Sequence, residues 1–377
     1  MKTILVFAGT RPEIIKMAPI VRELRARERA ARSTYPVWHS HFCFSRQHDS
    51  LARPFLDYFE IEPDSELDLM ESGQSLGQLR SRAAAQLDIF FQEHAGASAA
   101  LVQGDTTTAF AAALSAFDHK IPVGHVEAGL RTSDIREPFP EELNRRLISR
   151  IAKWHYAPTP RAREALLEEK VAPESILVTG NTGIDSFLET VSRPHKPSLP
   201  ALAALQGKRV VLVTAHRREN IGAALERIST AVVQLASEFN DVLFVVPVHK
   251  NPDVAAILEK KLSHVANILL TAPLDYPDLV WVMKIAELIM TDSGGIQEEA
   301  PSLRKPVLLL RNETERPEAV EYGTSFLVGS DSARIVAMAR DWLTGKRKID
   351  IKGTANPYGD GHAAKKIGDH LLAQISH

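Results

Sequence analysis

The chain has 377 residues, 44% of them hydrophobic and 24% charged, with a formal net charge of −2. That composition describes a globular protein with ample core, and the charge gives no electrostatic case for nucleic acid or an anionic membrane. The length favours two domains, the single cysteine (Cys43) excludes an internal disulfide and fits a reducing, cytoplasmic compartment, and no run approaches the roughly 20 apolar residues that span a bilayer.

Taken in chain order, KTILVFAG predicts a strand too short for the apolar core of a signal peptide. PEIIKMAPIVRELRAR predicts a helix with Ile14, Met17, Ala18 and Val21 on one stripe. PVWHSHFCFS, AALVQGD, PVGHVEA and WHYAPT predict further strands, separated by helical pattern. In PFPEELNRRL a helix starts after Pro140, with Leu143, Leu147 and Ile151 as its buried stripe. From Ser192 to Lys208 the chain carries three prolines and reads as a linker. The alternation then restarts with strand RVVLVTA, helix ENIGAALERISTAVVQLASEF, strands VLFVVP and ANILLTAP, helix YPDLVWVMKIA, and strands LIMTD and PVLLLR. The pattern predicts an α/β fold of two doubly wound, Rossmann-like parallel-sheet domains, residues 1–190 and 191–360. A helical tail, 361–377, is not assigned to either by periodicity. Such sheets bind ligands beyond the carboxyl ends of their strands, so a cleft lined by both sets of loops is expected.

Chemistry-bearing residues stand at those strand ends. Strand one ends in GTRPE, with Arg11 as a planar phosphate clamp and Lys16 near enough along the helix to share an anion with it. A solvated first helix accounts for both cations equally well. Gln103-Gly104-Asp105 closes the next strand; Thr106 can cap the following helix as well as Asp105, which frees Asp105 for the cleft. HVEAGLR then places His125 and Glu127 two apart on an extended segment, and Glu127 with Asp105 makes a candidate carboxylate pair. Glu141 and Arg145, and likewise Glu142 and Arg146, are spaced as helix-surface ion pairs. In the second half a strand ends in His216-Arg217-Arg218, another in His249-Lys250-Asn251, and a third in Asp292-Ser293-Gly294-Gly295 before Glu298 and Glu299. The last is a turn whose backbone N–H groups converge on an anion. His39, His41 and Cys43 alternate on one strand, but successive steps of about 7 Å are too wide for one zinc. Neither a Walker sequence nor G-x-G-x-x-G occurs.

GTRPEIIKMAP, QGDTTTA, HVEAGLRT, PFPEELNRRL, VTGNTGID, VTAHRREN, PVHKNP and DSGGIQEEAPSL through RNETERPEAV, in this order, resemble the non-hydrolysing UDP-N-acetylglucosamine 2-epimerase family over nearly the whole chain. The resemblance implies a GT-B-like architecture, a homodimer, a C-terminal helix packed on the first domain, and interconversion of UDP-GlcNAc and UDP-ManNAc for surface-polysaccharide synthesis without metal or nicotinamide cofactor. It implies catalytic roles for Asp105, Glu127, Glu141, Arg145 and His216. It implies UDP-binding roles for Arg11, Lys16, Ser293, Gly294, Gly295, Glu299 and Arg316. Gln47, His48, Arg217 and His249 are candidates for a second, activating UDP-GlcNAc site, although Arg46 replaces the small residue usual in that turn. The rival readings are a hydrolysing relative, an epimerase of a modified UDP-HexNAc such as a uronic acid, a glycosyltransferase of the same fold, and a non-catalytic nucleotide-sugar sensor.

Overall fold

The computed structural model describes residues 2–31, 38–46, 49–71, 73–351, 353 and 356–376. The chain divides into two units: residues 1–186 with 358–377, and residues 187–357.

In the first unit, β1 (Lys2–Ala8), β2 (Trp38–Phe44), β3 (Ser65–Glu66), β4 (Ala99–Gln103), β5 (Val123–Val126), β6 (Trp154–Ala157) and β7 (Ile176–Val178) form one parallel sheet in the order β3-β2-β1-β4-β5-β6-β7. Ile4, Leu5 and Val6 of β1 are all fully buried. A run without polar alternation is what a parallel sheet covered on both faces requires. The helix Arg11–Ala31 buries Ile14, Met17, Ala18 and Val21 as the periodicity predicts. The tail helix Ala363–Ser376 belongs to this unit: the Asp185 carboxylate accepts from the Ala363 and Ala364 N–H groups, and Arg27 pairs with Asp369 at 2.7 Å.

In the second unit, β8 (Arg209–Thr214), β9 (Val242–Pro247), β10 (Ile268–Thr271), β11 (Leu288–Thr291), β12 (Val307–Leu309) and β13 (Ser325–Leu327) form a parallel sheet in the order β10-β9-β8-β11-β12-β13. The proline-rich segment is no free tether. Leu202 and Leu205 are buried, and His195 and Ser198 both bond the buried Asp278 carboxylate.

Three differences from the sequence reading have local causes. The strands β3, β7 and β13 escape pattern recognition because each is an edge strand of two or three residues. The helix expected from Glu219 begins at Ala223, because Arg218–Asn220 form a tight 3₁₀ turn and Gly222 stands at φ 85°. In the helix Glu141–Ile151 the buried residues are Glu142, Asn144, Ile148 and Ser149, while Leu147 is exposed. That helix turns a polar face inward because its carboxylate and amide bond neighbouring loops.

Each sheet has a point where strand order reverses, between β1 and β4 and between β8 and β11. The loops that leave these four strands are GTRPE, QGD, AHRREN and DSGG, and a doubly wound sheet opens its ligand crevice at such points.

Candidate active site

At the switch point of the first sheet, Thr10 and Glu13 form a reciprocal cap at the start of the helix Arg11–Ala31. The Glu13 carboxylate accepts from the Gly9 and Thr10 N–H groups at 3.0 and 2.7 Å, and Thr106 Oγ1 donates to its other oxygen at 2.7 Å. Glu13 is buried, and burial raises its carboxyl above the ordinary range against these hydrogen bonds. Its signal was the T-x-x-E spacing in TRPE. Thr106 caps the helix Thr107–Asp118, so Asp105 is indeed not needed as the cap. Asp105 takes Arg145 Nη2 at 2.5 Å and Nε at 3.1 Å on one oxygen, and Asn144 Nδ2 donates to its carbonyl.

Glu127 leaves the strand altogether. Its φ of 63° is left-handed, a conformation that costs a non-glycine residue on the order of 1–3 kcal/mol unless the surroundings impose it. Here they do: Lys16 Nζ lies 2.5 Å and Asn181 Nδ2 3.0 Å from Oε1, and Gln103 Nε2 donates to Oε2. Gly104, at φ 70°, lets the backbone turn beneath it. Lys16, expected beside Arg11 on an anion, thus stands with the carboxylate instead. Gln103 and Asn181 lie within the motifs QGDTTTA and VTGNTGID without a role legible there; for Gln103 the signal is a polar residue closing an apolar strand. His125 does not share a face with Glu127. It is fully buried, burial pushes its imidazole down to about 3, and Nε2 donates to the Gly104 carbonyl.

The expected Glu141–Arg145 pair is replaced. Arg145 bonds Asp105 and Glu142, and Arg146 bonds Glu142 at 2.7 Å, while Glu142 is fully buried. Glu141 is half-buried at the helix start. Arg11 is exposed, its guanidinium 5.9 Å from the Phe55 ring. Of the second-site candidates, Gln47 and His48 lie outside the described residues. In the tempting metal trio, His39 bonds Glu28, His41 bonds Ser65, and Cys43 is buried with its thiol pushed up to about 12.

In the second unit, β11 runs into Asp292, whose carboxylate is fully buried. One of its oxygens accepts from the His216 and Arg217 N–H groups and from Asn220 Nδ2, at 2.8 to 2.9 Å. This ties the loop after β8 to the Ser-Gly-Gly turn. Neither Asp292 nor Asn220 drew a role from sequence, though both sit inside conspicuous motifs. The His216 ring stacks on His249 with centroids 5.0 Å apart and planes 5° apart. Ser293 precedes a helix that opens at Gly294. A methyl group on Gly294 would come within 2.8 Å of Arg316 Nη1 and 3.2 Å of Arg217 Nη2, so two guanidinium groups close over that turn.

The Arg316 loop is latched to the same short helix. Thr314 Oγ1 donates to Gln297 Oε1 at 2.8 Å, and Gln297 Nε2 donates to the Arg316 carbonyl at 2.6 Å. Arg316 bonds Glu298 and Glu315, while Tyr276 donates to Glu299 at 2.9 Å. Burial works to raise the Glu315 carboxyl, but Arg316 and Arg311 outweigh it and hold it at about 2. Backbone donors, two guanidinium groups and an imidazole around one glycine turn suit a diphosphate. Two carboxylates beyond neighbouring strands of the first sheet, Asp105 after β4 and Glu127 after β5, each on its own cation, suit proton transfer and stabilisation of positive charge.

Comparison with known proteins agrees in kind. A family model described as UDP-N-acetylglucosamine 2-epimerase matches residues 33–372. The chain is 44% identical to the UDP-N-acetylglucosamine 2-epimerase of Bacillus subtilis, covering 99% of this chain and 95% of that protein. It is equally 44% identical to that of Escherichia coli K12, covering 98% of each. Among solved structures it resembles the Neisseria meningitidis UDP-GlcNAc 2-epimerase bound to UDP-GlcNAc, with a TM-score of 0.85 and 39% identity over 99% of this chain and 100% of that one. An Anabaena protein in complex with UDP and glucose, at 16% identity and a TM-score of 0.62 over the full length of both chains, shares the fold alone.

Proposed function

The chain belongs to the UDP-N-acetylglucosamine 2-epimerase family, and we propose that it is a non-hydrolysing member that interconverts UDP-GlcNAc and UDP-ManNAc by elimination and re-addition of UDP. The observation that carries this reading is Glu127, a carboxylate held rigidly in left-handed backbone by Lys16, Gln103 and Asn181. A base fixed before substrate arrives needs no reorganisation in the transition state.

The C2 hydrogen of the sugar is not adjacent to a carbonyl, so no enolate can form. As the C1–O bond to UDP breaks, positive charge at C1 and the ring oxygen acidifies C2. A carboxylate takes the C2 proton, leaving 2-acetamidoglucal and UDP. Return of a proton to the opposite face of C2 and re-addition of UDP at C1 completes the inversion. Two acid/base groups must therefore flank the ring. Asp105 and Glu127 are that pair, with Glu141 third and Arg145 orienting Asp105. Arg11, Ser293, Gly294, Gly295, Glu299 and Arg316 hold UDP, and His216 in its protonated form holds the leaving phosphate for re-addition. Lys16 acts on Glu127 rather than on UDP.

The family expectation of a homodimer also has support on the first unit. Ile89, Leu114, Phe117 and Leu147 are large apolar side chains exposed on three neighbouring helices, where a partner could cover them. No helix among the described residues is long and apolar enough to cross a membrane.

The deciding experiment is epimerisation of UDP-GlcNAc in heavy water, followed by NMR and mass spectrometry of the products. UDP-ManNAc carrying deuterium at C2, with a trace of free 2-acetamidoglucal, is the expected result. Unlabelled UDP-ManNAc rules out elimination. Free ManNAc with stoichiometric UDP places the chain with hydrolysing enzymes instead.

A further inference from the structure

The buried carboxylate of Asp292 has no part in the chemistry assigned above, yet it is built with unusual care. It stands at the end of β11, fully buried. One oxygen accepts three N–H groups, from the His216 and Arg217 backbone and the Asn220 side chain. Asn220, itself buried, also donates to the Leu310 carbonyl and is thereby fixed. The other oxygen, Oδ1, makes no hydrogen bond and faces His216 Nδ1 at 3.6 Å.

We propose that Asp292 is a positioning residue for His216: its Oδ1 keeps a proton on Nδ1 and stabilises the imidazolium, so that Nε2–H is presented to the departing phosphate. The reasoning is geometric first. The three donors on Oδ2 pin the carboxylate, so Oδ1 cannot turn away from the ring. The parallel His249 ring limits the other face of His216, and His249 Nδ1 accepts from the Asn251 N–H at 3.1 Å, which sets its own proton on Nε2. The ring of His216 is therefore confined in plane and has an acceptor behind it. With the charges of Arg217 and Glu315 beside it, 3.6 Å apart and compensating one another, Asp292 is the group whose anion bears on His216 from the buried side.

Chemistry separates this role from simple scaffolding. A neutral His216 with its proton on Nδ1 offers only a lone pair at Nε2 and repels a phosphate oxygen; the imidazolium donates from both nitrogens. Asn in place of Asp292 can still accept the three N–H groups through its oxygen while turning its NH₂ group toward His216. That reverses the preference: Nδ1 becomes the acceptor and the ring stays neutral, with its proton on Nε2. A hydrogen bond to phosphate then survives, but the positive charge and the transferable proton do not.

This inference rests on the epimerase reading for the identity of the anion, and the heavy-water experiment on the unaltered enzyme tests that reading separately. For Asp292, heteronuclear NMR of histidine-labelled enzyme at neutral pH with UDP bound gives the direct readout. The expected signature is a His216 ring protonated on both nitrogens, changing in Asp292→Asn to a neutral ring with a bare Nδ1. In steady-state kinetics Asp292→Asn should lose at least about tenfold in kcat, and its affinity for UDP, by calorimetry, should fall by less than kcat does. A bare Nδ1 on His216 in the UDP-bound unaltered enzyme overturns the inference, and so does a folded Asp292→Asn with an unchanged His216 spectrum. Should Asp292→Asn fail to fold, the spectrum of the unaltered enzyme decides alone.

Discussion

In the proposed mechanism two carboxylates act on the sugar and one glycine turn holds UDP, and single substitutions should separate these roles. Asp105→Asn and Glu127→Gln are expected to abolish turnover while leaving UDP affinity within about tenfold, or about 1.4 kcal/mol. The reason is local: Asp105 is bonded by Arg145, and Glu127 by Lys16, Gln103 and Asn181, all of them in the first unit. Gly294→Ala should do the reverse. Its methyl group must displace the Arg316 and Arg217 guanidinium ends, at 2.8 and 3.2 Å, so UDP binding weakens by about tenfold with little effect on folding. Isothermal titration with UDP beside turnover assays checks both halves. Loss of UDP binding by a folded Asp105→Asn would remove that residue from acid/base work.

At the scale of elements, the fold depends on a few close approaches that no pattern of apolar residues records. Gly129 follows β5 at φ 93°, and a methyl group there would stand 2.1 Å from the Ala162 carbonyl in the helix Pro160–Glu168. Both the backbone and the contact resist it, so Gly129→Ala should destabilise the protein by about 2–4 kcal/mol, read from urea unfolding. The tail helix gives a pH-dependent counterpart. Burial raises Asp185 to about 6, against the hydrogen bonds from Ala364 and Ala363. Its folded value lies above its unfolded one, so its contribution is fully present below the unfolded value of 3.8 and is lost as pH rises through about 6. The stability of the native protein relative to Asp185→Asn should therefore grow as pH falls from 7 toward 4 in urea titrations. A difference that is flat with pH would mean that Asp185 is ionised throughout. The same scale accounts for the misread helix Glu141–Ile151. Its leucines suggested a core stripe, but Glu142 and Asn144 had partners in the Thr132 and Asp105 loops, and those hydrogen bonds chose the inward face.

At the scale of the whole molecule, the proposed homodimer can be tested on the large apolar side chains exposed on the first unit. Phe117, at 58% exposure, and Leu114 lie one turn apart on the helix Thr107–Asp118, which packs between the helices that carry Ile89 and Leu147. Phe117→Glu is expected to turn a dimer into a monomer in light scattering, with the UDP affinity of the chain retained. An unaltered mass would move the contact elsewhere.

The sequence by itself determined the class of fold and which polar loops leave the strand ends. Short continuous apolar runs such as TILVFA and VVLV, bounded by turn residues and alternating with helical pattern, fit strands of a covered parallel sheet, and turn motifs such as DSGG and QGD carry their geometry in their residue types. Tertiary structure alone decided the partnerships. Lys16 could be assigned to Arg11 or to a carboxylate, and only the placement of β5 beside β4 brought Glu127 to it. His125 and Glu127 share a face in an extended strand, and only three converging donors turn Glu127 into left-handed backbone away from it. Glu13, Gln103, Asn181 and Asp292 stayed without a role because a buried polar side chain is defined by what it bonds, and its partners lie up to 93 residues away in the chain. Local sequence fixes which conformations and charges a segment carries; the sheet order, which brings distant loops to one switch point, decides what those charges meet.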